Sequence, residues 1–118
     1  MDSKSSDLTS LPGTYILRPD SAKFIQLCEQ MKAIHIRKAM DYGNGRDPLG
    51  NFEQARDWGT TPFLGVMIRI GDKIARLQSF VIKGNLQNES VHDTLIDLAA
   101  YALLAEVILQ REVASGSK

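Results

Sequence analysis

The chain has one cysteine, no excess of either charge, and no uninterrupted apolar run long enough for a bilayer. A single thiol, Cys28, excludes an internal disulfide and a cysteine-rich zinc site. It falls on the apolar side of a predicted helix and reads as a small buried hydrophobe. Fourteen Lys and Arg balance fourteen Asp and Glu. Bulk binding to a nucleic-acid backbone needs a basic field and is not expected, although a local basic patch is still allowed. The amino terminus, MDSKSSDLTS, lacks an apolar segment of the signal-peptide kind. The apolar stretch near the other end is short and interrupted by Asp97 and Glu106, so no membrane span is expected. These absences point to a cytoplasmic protein. No internal repeat is visible. With 118 residues and 43% apolar content, the chain is long enough for one domain around one core.

What the chain does have is the stretch SVHDTLIDLAAYALLAEVILQR, residues 90–111. Apolar residues cover almost its whole circumference, as in a helix at the middle of a bundle. Glu89, Asp93, Asp97 and Tyr101 nevertheless recur at a spacing of four and form one polar seam on that rod. A buried carboxylate without a partner is costly. Either a basic side chain or a metal ion is expected to meet the seam.

The remaining elements fall in order along the chain. Residues 1–13 read as a polar tail ending in Pro12-Gly13, and 14–112 as a single all-α domain. Helix one is predicted from about Ala22 to Met40, with Asp20 or Ser21 as cap and Phe24, Leu27, Cys28, Met31, Ile34 and Lys38 on one face. The segment from Asp41 to Gly50 holds three glycines and a proline, and reads as an irregular loop able to carry function. Asn51 is the expected cap of a short helix, Phe52 to Asp57, closed by Trp58-Gly59. Thr61-Pro62 announces helix three, which should reach about Val81 or Ile82 and stop at Gly84. Its core stripe is Phe63, Val66, Met67, Ile70, Ile74, Leu77 and Val81, and beside it lie Arg69, Asp72, Lys73 and Arg76. Gly71 costs about 1 kcal/mol against alanine in a helix interior, so close packing or close ligand approach is expected there. Ser90 and Asp93 form a capping-box-like start to helix four, and residues 113–118 read as a tail.

Helices three and four, joined by a short polar link, suit an antiparallel hairpin in which Arg69, Lys73 and Arg76 meet Asp93, Asp97 and Tyr101. One reading is a set of internal salt bridges that fixes the register of the bundle. Glu89 and Asp93 can also serve only the positive end of the helix dipole. The other reading is a phosphate site. Arginine forks to phosphate oxygens, lysine adds a compact charge, and carboxylates at helical spacing hold Mg²⁺ that bridges to phosphates. Tyr42, Phe52 or Trp58 would then stack on a base.

At these residues the chain becomes familiar. DYGN at 41–44, Phe52, IRIGDKIARL at 68–77 and ESVHDTLIDLAAYALLA at 89–105 resemble the first nucleotide-modification-associated domain family of phages and bacteria, over roughly residues 24–110. That resemblance implies a small, mostly helical phage-type protein linked to nucleotide metabolism. More distantly, the acidic last helix is similar to that of the all-α nucleoside triphosphate pyrophosphohydrolases related to MazG. Those enzymes hold Mg²⁺ with an E-x-x-E pair on an early helix and an E-x-x-D pair on a later one. Here the later pair is stretched to Asp93-x-x-x-Asp97, and at the earlier position Glu29 is followed three residues on by Lys32.

The expectation is therefore a small helical bundle with a core hairpin, assembled as a homo-oligomer because helix four exposes more apolar surface than a small bundle covers. It should recognise a nucleotide or cyclic nucleotide, with three functions open. One is a Mg²⁺-dependent hydrolase of nucleoside polyphosphates. Another is a sponge that sequesters a nucleotide second messenger of host antiphage defence. The third, in place of nucleotide recognition, is a purely structural or interaction protein. Lys38, Tyr42, Gly43, Phe52, Arg69, Lys73, Arg76 and Tyr101 are the candidate ligand contacts, and Glu89, Asp93 and Asp97 the candidate metal ligands.

Overall fold

The computed structural model describes residues 16–42, 49–86, 90–114 and 116, with the Tyr42 side chain excepted. All regular structure among them is helical, with no strand. Four α-helices run in order: α1 (Pro19–Tyr42), α2 (Gly50–Glu53), α3 (Pro62–Lys83) and α4 (Val91–Ala114). A 3-10 turn, Gln54–Trp58, follows directly on α2. Residues 1–32 and 33–118 are two compact units, with the boundary inside α1.

In the first unit, α1 opens earlier than its sequence signals suggest. Pro19 takes the first helical position, where a missing amide costs nothing, and the Arg18 carbonyl accepts from the Ala22 amide at 3.0 Å. Asp20, an expected cap, therefore lies within the first turn, where its charge still suits the helix dipole. Phe24 and Leu27 are exposed and Cys28 is a half-buried free thiol, so this face is not the buried stripe that the spacing predicts.

The second unit is built on α3 and α4. Thr61 Oγ1 accepts from the Leu64 amide at 3.2 Å, and Pro62 is buried at the first position. The far end of α3 comes where glycine predicts it. Gly84 takes the left-handed conformation (φ 83°), and its amide donates to the Phe80 carbonyl at 2.7 Å. The chain then returns, and α4 packs on α3 as the principal helix pair of the fold. Ser90 Oγ accepts from the Asp93 amide at 2.9 Å, the serine half of the expected box. Thr94, fully buried, escapes an unsatisfied hydroxyl by donating to the Ser90 carbonyl at 3.0 Å. Helix α4 continues three residues past Arg111, because Glu112, Val113 and Ala114 are tolerated in a helix and the left-handed residue comes only at Gly116 (φ 84°).

Val66 and Ile108 form the fully buried centre of the core, with Leu49 and Ala105 beside them and Phe52, Phe63, Met67, Ile70, Tyr101 and Leu104 packed around. Two expectations fail against this picture. The stripe of α3 is covered only along part of its length: Ile74 is exposed and Val81 is 81% exposed. Helix α4 is not enclosed either, for Leu95, Leu103, Val107 and Val113 are exposed. The physical reason is shared. Helices α3 and α4 are each other's long partner, and each covers one side of the other and leaves the rest open.

The short helical segment corrects a third expectation. Asn51 is not the cap of a helix beginning at Phe52. The Leu49 carbonyl accepts from the Phe52 and Glu53 amides at 2.9 and 3.2 Å, which places Asn51 inside α2. Gly59 closes the segment as expected, with φ 79°. Gly65 shows why the segment sits where it does. A Cβ there would lie 3.6 Å from Ala55 Cβ and 3.7 Å from Phe52 Cδ1, so α2 and the 3-10 turn rest against a side-chain-free patch of α3. Gly71, by contrast, has no atom within 4 Å of where its Cβ would stand, so packing does not require glycine there.

Candidate functional site

A cleft of about 540 Å³ lies wholly within the second unit, a volume ordinary for a small-molecule site. Its walls come from four pieces of chain. The last part of α1 supplies His35, Lys38 and Ala39; α2 and the 3-10 turn supply Asn51, Phe52, Gln54, Ala55 and Trp58. Helix α3 supplies Gly65 and Arg69, and α4 supplies Tyr101 and Leu104.

The charges in this lining are of one sign. Lys38 and Arg69 are basic, and no carboxylate is among the described lining residues. Neither cation makes an ion pair among the described residues, in contrast to the cations nearby. The aromatic content is also high. Phe52 and Tyr101 meet edge to face, with ring centroids 6.2 Å apart and planes at 85°, a favoured arrangement that holds both rings in place. Trp58 is 87% exposed, with its ring left for an incoming planar group. Asn51 and Gln54 add amides that both donate and accept.

The wall that carries Asn51, Phe52, Gln54 and Trp58 is tied to the end of α4 through Glu53. Its carboxylate accepts from Arg56 Nε at 2.9 Å and from an Arg111 guanidinium nitrogen at 3.3 Å. Arg111 lies 58 residues away in sequence, so this is a tertiary tie on a segment otherwise only nine residues long.

Of the candidate ligand contacts, Lys38, Phe52, Arg69 and Tyr101 come together in the cleft. Lys73 and Arg76 do not line it. Lys73 instead points at α4, with Nζ 3.0 Å from Asp97 Oδ2 and both side chains partly buried. For this pair the internal salt bridge is what forms. Asp93 is exposed in the first turn of α4, where its charge suits the helix dipole. Gly43 and Glu89 lie outside the described residues, as does the side chain of Tyr42. Among the described residues no three His, Cys, Asp or Glu gather as a metal site. Nor is any helix among them long and apolar enough to cross a membrane.

Three polar lining residues escape the reading of site candidates from sequence, His35, Asn51 and Gln54, while Trp58, one of the aromatics expected to stack on a base, does line the cleft. Two weak signals mark them. His35 precedes Lys38 by three residues on one helix face, and Asn51, Gln54 and Trp58 follow a three-then-four spacing. Such spacing is equally that of a solvated helix face, and only the fold turns it inward.

Comparison with protein-family models, curated proteins and solved structures finds no match to this chain in any of the three.

Proposed function

We propose that this chain is a nucleotide-recognising protein that binds its ligand in the cleft and captures it rather than hydrolysing it. The observation that carries the reading is the meeting of two cations that make no ion pair among the described residues, an exposed tryptophan and two amides around one cavity of ligand size. Phosphate, a flat base and its hydrogen-bonding edge are the three recognition problems that a nucleotide sets. Cations, aromatic faces and amides answer them in turn. The likeness of IRIGDKIARL and DTLIDLAAY to the nucleotide-modification-associated family supports the same class of ligand. It also supports a setting in phage and bacterial nucleotide metabolism, where a sponge for a second messenger is one use of capture.

Capture is preferred to hydrolysis on the chemistry of the donor set. A resident Mg²⁺ wants several oxygen ligands in near-octahedral array. Of the three candidate metal ligands, the two that are described are Asp93, on an exposed first turn, and Asp97, already paired with Lys73, and neither lines the cleft. These two do not fit such a site by themselves, and no hydrolytic step is built on them. A thermal-shift screen of nucleotides with and without Mg²⁺ tests the reading. A ligand-induced rise in melting temperature without product formation supports capture; turnover of any nucleotide restores the hydrolase.

The exposed apolar residues of α4 favour one addition. Leu95, Leu103, Val107 and Val113 remain uncovered in a single chain, and we propose that copies of the chain assemble through such surface.

A further inference from the structure

We infer that the cleft takes a nucleoside monophosphate, bound without a metal ion. The inference rests on the nucleotide reading and narrows it by charge. A phosphate monoester carries about two negative charges at neutral pH. The described lining answers with two basic side chains, Lys38 from α1 and Arg69 from α3, and no carboxylate. Arginine grips such a group with a planar fork, and lysine supplies a point charge beside it. His35, one turn before Lys38, can add an imidazole hydrogen bond.

A triphosphate is a poorer match on two counts. It brings more negative charge than this pair offsets. It also travels with Mg²⁺, for which a site usually supplies one or two carboxylates. No described carboxylate is part of the lining; of the candidate metal ligands Asp93 and Asp97, the second is held by Lys73. The size points the same way, since about 540 Å³ holds one mononucleotide with room for water.

The walls divide the labour. The cations stand on α1 and α3, while Asn51, Gln54 and Trp58 all stand on the α2–3-10 segment. Phe52 and Tyr101 are committed to each other edge to face. Trp58 is the aromatic with its surface free, so it is the platform for the base, and the two amides read the base edge.

Isothermal titration of the full chain tests this in EDTA and again with Mg²⁺. The probes are a panel of nucleoside monophosphates, the matching nucleosides and triphosphates, and one cyclic dinucleotide. The expected result is one or more monophosphates binding in EDTA, about tenfold or more tighter than the matching nucleoside and triphosphate, and unchanged by Mg²⁺. Arg69→Met and Lys38→Met should each remove most of the gain over the nucleoside without moving the melting temperature of the free protein. Tightest binding of a triphosphate or of the cyclic dinucleotide, or a requirement for Mg²⁺, overturns the inference but leaves the nucleotide reading standing. No binding by any member of the panel overturns both.

Discussion

Lys73 Nζ lies 3.0 Å from Asp97 Oδ2, and only 15% of the lysine side chain and 35% of the aspartate side chain are exposed. The pair links the middle of α3 to the second turn of α4 and so fixes the register of the hairpin. It also separates the polar seam of α4 into parts with different work. Asp97 is structural, Asp93 sits at the favourable end of the helix, and Tyr101 belongs to the cleft.

Asp97→Asn should therefore damage the fold more than the site. Neutralising Asp97 removes its charge from the partly buried contact with Lys73. The loss expected is about 1–3 kcal/mol, between the values for exposed and buried pairs. Urea denaturation gives the stability, and titration of the folded mutant gives the affinity. Unchanged stability with lost nucleotide binding would return Asp97 to the site.

Gly71→Ala should stabilise the protein by about 1 kcal/mol. The position is inside α3, its backbone is not left-handed, and nothing stands where the new methyl would go. The gain is the ordinary alanine-over-glycine preference of a helix interior. A melting temperature that falls instead would mean that something absent from the single chain approaches this point.

Glu53→Ala removes the acceptor shared by Arg56 and Arg111. Since these groups are partly exposed, the stability cost should be modest, about 1 kcal/mol. The effect on the cleft should be larger than that cost suggests, because the wall bearing Asn51, Gln54 and Trp58 loses its tie to α4. Weaker nucleotide binding by Glu53→Ala, at a temperature where the mutant is fully folded, is the expected sign. Equal affinity would show that the wall holds its place without Glu53.

Ile108→Ala probes how much the fold depends on a small core. Ile108 is 1% exposed and packs with Val66 at its centre. Loss of a buried isoleucine side chain costs about 2–5 kcal/mol, a large part of a small domain's whole stability. We expect loss of cooperative unfolding at 37 °C. A mutant that melts within a few degrees of the parent would point to a core larger than the one seen here.

Self-association is checked by size-exclusion chromatography with light scattering. The uncovered residues of α4 predict a mass above that of one chain at micromolar concentration. Leu103→Lys, at a side chain 57% exposed, should lower that mass without unfolding the monomer. A clean monomer before any mutation removes the proposal.

Much of the fold was legible because its signals are local. Thr61-Pro62 and Gly84 bound α3, Ser90 starts α4 and Gly59 ends the short segment, each through hydrogen bonds of a side-chain hydroxyl or the backbone within a few residues. The pairing of Lys73 with Asp97 was legible as one of several matches between two spaced series. What was not legible depends on which sides of a helix find a partner. Periodicity marks an apolar face on α1 and a wholly apolar α4, but it does not count the neighbours available to cover them. The cleft suffers from the same gap. Arg69 and Lys38 belong to helices far apart in sequence, and the segment bearing Asn51 and Trp58 is too short to carry a periodic signal of its own.

Trp58 gives the most direct measurement, because it is the single tryptophan of the chain and stands exposed at the cleft. Its fluorescence can be followed while the full protein is titrated with nucleoside monophosphates. The account predicts a saturable change in Trp58 emission that is lost in Arg69→Met. Emission that stays flat across the panel, or that changes in Arg69→Met and Lys38→Met just as it does in the parent protein, would contradict it.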